Sequence, residues 1–185
     1  MSDPLSAIGH ATTDPAPSPG PFRIVKAQFP VAMLFGHDLI ALLDADGRLL
    51  REANGLATSR QGRIKPIGYL PSDRLKVYEF SAPALYRAQQ RQLTLCTGSW
   101  EEVSRHWRVL RAAASALNAR HLRYPMLGFG PNSNSVATTL IAAMGLADPD
   151  LAGRCAPGRR TLLLDAGTLA ALRERHGMGG ARVQA

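Results

Sequence analysis

Apolar and polar residues alternate along the first half of this chain and recur at helical spacing along the second. Ile24, Val25, Ala27 and Phe29 predict a strand over Phe22–Val31, disturbed by Pro30 near its end. Residues 37–43 and 48–55 flank Asp44-Ala45-Asp46-Gly47, the strongest hairpin signal in the chain. That tetrapeptide suits a type I turn with Gly47 in the left-handed conformation, followed by a bulge. If Asp44 pairs with Arg48, Ile40 faces Glu52 and Asp38 faces Asn54. A register one residue tighter sets His37 opposite Asn54 instead. Residues 64–70 form a short apolar segment broken by Pro66. Residues 75–80 alternate with period two and 92–97 form a further strand, with a short helix or turn over 84–90 between them.

Helical spacing begins at Ser99-Trp100-Glu101-Glu102, a capping box in which Ser99 caps and Glu102 reaches back. Trp100, Val103, Trp107, Leu110, Ala114 and Leu117 then share one stripe, so the helix runs to Asn118 or Ala119. Residues 121–131 are an extended connection to a second helix. There Asn132, Ser133, Asn134 and Ser135 can each satisfy N–H groups at a helix start, and Gly145 ends the helix. Val136, Leu140, Ile141 and Met144 fall on one face, which predicts a buried helix. Turns over 147–150 and 156–158, a strand over 161–164 and a final helix capped by Asp165 and ending near Gly177 complete the chain. Strands grouped ahead of helices predict an α+β domain over 22–177, an antiparallel sheet packed on the Ser99 and Ser133 helices. Residues 1–21, with Pro15, Pro17, Pro19 and Pro21 in close succession, read as a disordered arm, and 178–185 as a frayed end.

Composition narrows the functional classes. A chain of 185 residues with 45% hydrophobic residues can bury a sizeable core without covalent staples. Lys and Arg number 22 against 14 acids, a net charge of +8 that would attract nucleic acid, anionic membrane or an anionic wall polymer. The excess is mostly arginine spread along the chain, a usage that a high-GC bacterial genome also produces. Cys96 and Cys155 stand far apart without metal-binding spacing, and His37-Asp38 is a pair without further ligands. No metal and no cofactor is therefore expected, and Gly128-Phe129-Gly130 lacks the spacing of a nucleotide-binding loop. Without a secretory leader or a transmembrane-length apolar run, the expectation is a protein with no membrane span. It is cytoplasmic, or exported by a route independent of a signal peptide.

Chemistry concentrates in two places. Ser133 lies in the first turn of a buried helix, where the dipole and free N–H groups favour a developing oxyanion. A serine needs a base to become a nucleophile, and His37 is the histidine in a well-patterned strand. Asn54, Glu52 and Asp38 are candidates to orient its ring, with Asn54 placed first by the hairpin. Asn132, Asn134 and Ser135 are candidate oxyanion or substrate contacts. A non-enzymatic alternative is a binding or effector domain. Another is nucleic-acid binding through Arg105, Arg108, Arg111, Arg120 and Arg123, on or just beyond one helix.

Gly36-His37-Asp38-Leu39-Ile40 and Asn132-Ser133-Asn134-Ser135-Val136 together resemble the two motifs of the papain-like hydrolases of circularly permuted order, the NlpC/P60-like superfamily. In that family the histidine lies on a strand and a cysteine opens the packed helix. The resemblance covers about residues 22–145 and sets Ser133 where the family keeps its cysteine. It implies a papain-like fold and hydrolysis of an amide or ester bond, in a cell-wall peptide or an acyl-linked substrate. The serine is a departure, since a thiolate forms far more readily beside histidine. The same resemblance therefore also fits a pseudoenzyme that keeps the fold and binds without turnover.

Overall fold

The structure, a computed structural model, describes residues 20–31, 35–65, 67–126, 130–152 and 154–179. Most of the proline-rich arm (residues 1–19) and most of the frayed end (180–185) lie outside the described residues. Six strands and three helices follow in order: β1 (Phe22–Val31), β2 (Phe35–Leu43), β3 (Leu49–Thr58), β4 (Ile64–Lys65), β5 (Arg74–Phe80), β6 (Gln92–Gly98), α1 (Trp100–Ala119), α2 (Ser133–Ala143) and α3 (Ala166–Arg175). The strands form one antiparallel sheet in the order β4-β3-β2-β1-β6, with β5 also paired to β3. The fold is thus α+β, as the grouping of strands before helices predicts. Residues 161–164 form no strand. Leu163 spends its N–H on the Thr139 hydroxyl (2.9 Å), so this segment is tied to α2 instead of the sheet. No described helix is long and apolar enough to cross a membrane.

Strand alternation gives the sheet two faces with different covers. Ile24, Ile40, Leu42, Ala53 and Val77 point toward the helices and pack with Val103, Trp107, Leu110, Val136, Leu140 and Leu169 into the main core. Val25, Ala27, Leu39, Ala41 and Leu43 point the other way and are covered by Tyr86, from the irregular segment 81–91. Local signals close the elements as expected. Ser99 and Glu102 make a reciprocal capping box on α1, and Asn132 and Ser135 make one on α2. At the hairpin Asp44 Oδ1 accepts from the N–H groups of Asp46 and Arg48, and Gly47 takes φ +81°.

Two features of the β2–β3 pair shape everything that follows. The first is its register: Leu43 pairs with Leu49, but Leu42 pairs with Arg51, Ala41 with Glu52 and Ile40 with Ala53. Leu50 is the extra residue of a bulge just past the turn, so the strands run one residue wider than an uninterrupted ladder from Asp44–Arg48. Continued, this register sets Asn54 beside Leu39, so neither expected pairing holds, though the tighter one placed Asn54 on the face of His37, where it lies. The second feature is an opening. β5 occupies one edge of β3 from Glu52 to Thr58 without a break, so β2 and β4 share the other edge. There β2 reaches only to Ala53 and β4 begins at Ala57. Between them the first turn of α2 fits against both strands.

Candidate active site at the opening between β2 and β3

Three side chains on the outer face of the sheet form a directed chain of hydrogen bonds. Glu52 is wholly buried and accepts from the Asn54 amide (2.6 Å) and from the backbone N–H groups of Leu85 and Ala84 (2.8 Å each). Three N–H donors converging on one carboxylate leave it acting only as acceptor. The Asn54 Nδ2 must therefore face Glu52, which turns Asn54 Oδ1 toward His37 Nε2 at 2.9 Å. A carbonyl oxygen cannot donate, so Nε2 carries the proton. In the neutral ring the lone pair then lies on Nδ1. Burial pushes the His37 imidazole below its ordinary value, against the Asn54 bond and the charges of Asp38 and Glu52, so the neutral form dominates near pH 7. The result is a fixed tautomer with a basic nitrogen directed away from its anchor.

The start of α2 is seated in the same opening by its polar residues. Asn134 brackets β2 on either side of His37: its Oδ1 accepts from Asp38 N–H (2.8 Å) and its Nδ2 donates to Gly36 O (3.1 Å). Against β3, Val136 lies where a Cβ on Gly55 would stand, 2.7 Å from its own Cβ, so only glycine lets the helix approach. The segment 155–158 crosses over this helix start. Pro157 O accepts from the Asn132 and Asn134 amides, Gly158 O accepts from Ser135 Oγ, and Gly36 N–H donates to Cys155 O. Asn132, Asn134 and Ser135 thus spend their side chains on main chain and on the cap. Asn134 N–H likewise goes to Asn132 Oδ1 (2.8 Å).

The structure brings His37, Asn54 and Glu52 together and sets the first turn of α2 at their side. It does not link His37 to Ser133, since no hydrogen bond between them occurs among the described residues. Ser133, only 6% exposed, lies beside the Tyr124 phenol, which burial holds above its ordinary pKa against the influence of that serine. Asp38 belongs to another network on the helix face. There the wholly buried Lys26 ammonium meets Asp148 at 2.5 Å and Asp38 at 3.2 Å, with Gln28 donating to Asp38 and Thr138 to Asp148. Among the α1 arginines, Arg111 is bound to Glu79 and Arg105 to Glu101, while Arg120 reaches Asp165. No group of three or more potential metal ligands occurs among the described residues.

Two participants escaped the sequence. Tyr124 follows α1 in an irregular stretch, and only its packing on Gly68 and its nearness to Ser133 show its place. The double N–H clamp on Glu52 depends on a loop more than thirty residues away. An unpaired-looking acid at an outer-face position of an apolar strand was the available signal. No family model, no curated protein and no solved structure matches this chain.

Proposed function

We propose that this protein hydrolyses amide or ester bonds with His37 as general base, Asn54 and Glu52 as the groups that orient it, and Ser133 as nucleophile. The observation that carries the proposal is the Glu52–Asn54–His37 chain, which fixes a neutral imidazole with Nδ1 free to take a proton. In the reaction the Ser133 oxygen attacks the substrate carbonyl carbon as Nδ1 takes the hydroxyl proton. The tetrahedral intermediate then expels the amine or alcohol, which leaves with that proton. Water, deprotonated in turn by Nδ1, releases the acid and restores the serine. The Tyr124 O–H stands beside Ser133 as a donor for the oxyanion, and Asn132 and Asn134 hold the helix start in place. A papain-like ancestry with serine at the cysteine position, and a cell-wall peptide or acyl-linked substrate, belong to this same proposal.

One observation favours a second reading, a binding domain without turnover: among the described residues no hydrogen bond joins the Ser133 hydroxyl to His37, whose Nε2 goes to Asn54. A fluorophosphonate probe, read by peptide mass spectrometry alongside a panel of esters and peptidoglycan fragments, separates the two. Catalysis requires labelling of Ser133 that is abolished in Ser133→Ala and slowed about 10²-fold or more in His37→Ala. An unlabelled wild type, turning over no more substrate than these variants, establishes the binding domain.

A further inference from the structure

Beyond the opening, the outer face of the sheet ends in a cleft of about 490 Å³. Arg74 and Lys76 line it from β5, Ser59 and Arg60 from the β3–β4 connection, Ser72 from the turn before β5, and His121 from the residues after α1. The cleft therefore gathers two guanidinium groups, one ammonium, an imidazole and two hydroxyls, and no carboxylate lines it. Its volume falls among pockets that enclose small molecules.

Several cations elsewhere in the molecule are neutralised by acids. Lys26, Lys65, Arg105, Arg111, Arg120 and Arg159 each hold a carboxylate. Arg60 and Lys76 hold none among the described residues, and Arg74 has only two backbone carbonyls at 3.5 Å. Asp73, the nearest acid in sequence, is turned away, its Oδ2 taken by Lys65 (2.6 Å) and by the N–H groups of Tyr69 and Leu70. Like charges gathered without a counter-ion repel one another, and an anion bridging them relieves that repulsion. A single carboxylate neutralises one of the three permanent cations, whereas a phosphate monoester or a diphosphate offsets two or more. Its tetrahedral oxygens also suit guanidinium forks and hydroxyl donors.

From this geometry we propose that the cleft is a binding site for a small phosphate-bearing ligand, held by Arg74, Lys76 and Arg60 with Ser59 and Ser72 as neutral donors. The site stands whether or not the His37 chain is catalytic, because the test reads binding alone. Calorimetric titration of the full chain with pyrophosphate, inorganic phosphate and acetate, at constant ionic strength in chloride, is the measurement. Saturable binding in the order pyrophosphate, phosphate, acetate is expected. Arg74→Gln and Lys76→Gln should each weaken pyrophosphate about tenfold or more, with circular dichroism and thermal midpoint unchanged. Arg105→Gln, on a surface of its own, should leave affinity as it was. Arg60→Ala, in an exposed connection, repeats the test if a strand variant fails to fold. No saturable binding, equal binding of acetate, or indifference to all three cleft variants overturns the proposal. Binding of a single-stranded oligonucleotide or of phosphatidylglycerol vesicles while pyrophosphate neither binds nor competes overturns it too.

Discussion

At the scale of single residues, the controlling fact is the orientation of one amide. Glu52 turns the Asn54 side chain, and Asn54 in turn decides which nitrogen of His37 holds the proton. Nitrogen NMR of the ring should therefore show a protonated Nε2 and a bare Nδ1 near neutral pH. The midpoint should lie below the ordinary histidine value because burial disfavours the cation. Asn54→Ala removes a bond that favours the cation and should move that midpoint lower still. Burial depresses the His106 imidazole as well, where it meets Met144 O. Both rings take up a proton more readily in the unfolded chain than in the folded one. Stability is then complete above the unfolded histidine pKa, about 6.5, and is lost as pH falls through the lower folded values. Urea midpoints measured between pH 8 and pH 5 should decline in that direction. His37→Gln should flatten part of the decline.

Between elements, the decisive contact is α2 against the opening of β2 and β3. Gly55 is required by proximity: its backbone is in ordinary strand conformation, and a methyl group there would meet Val136 at 2.7 Å. Gly55→Ala should cost about 1–3 kcal/mol, the usual range for overpacking a filled interface. Gly55→Ala combined with Val136→Ala should be more stable than the sum of the two single losses predicts, a coupling that urea denaturation of all four proteins measures. The elements themselves were legible in sequence. The bounds of β1 and α1, the capping box of α1, a polar N-cap on α2 and the turn at Gly47 all follow from local period and cap chemistry, whereas the reciprocal form of the α2 cap does not. The bulge at Leu50 was legible only as a type of event. Relative to the ladder continued from Asp44–Arg48, its position moves Asn54 from the face of Asp38 to that of His37, where the tighter register had placed it. A one-residue shift exchanges every side chain between the faces, so small register differences carry large functional consequences.

Across the whole molecule, buried charge ties distant segments together. Lys26 on β1 binds Asp38 on β2 and Asp148 beyond α2, and donates also to Pro149 O (3.2 Å). Removing the ammonium leaves the buried Asp38 carboxylate and the part-buried Asp148 carboxylate without their shared counter-ion. Lys26→Met should therefore destabilise the fold by about 3–5 kcal/mol in chemical denaturation. Added salt should change this loss little, because the group is sealed from solvent.

By itself, the sequence determined the three helices, their N-caps and the strands β1, β2, β3, β5 and β6, though not β4 or the absence of a strand at 161–164, and it singled out His37, Asn54 and Ser133. Those features depend on neighbours a few residues apart, and alternation, capping and turn chemistry act over that range. Only the tertiary structure decided that His37 joins Asn54 and Glu52, that Ser133 lies beside Tyr124, and that Arg60, Arg74 and Lys76 share one cleft at the β3–β5 end. Each of those outcomes turns on which distant segments share a face. That is set by one bulge, one glycine and the pairing of buried charges, none of which leaves a periodic mark in the chain.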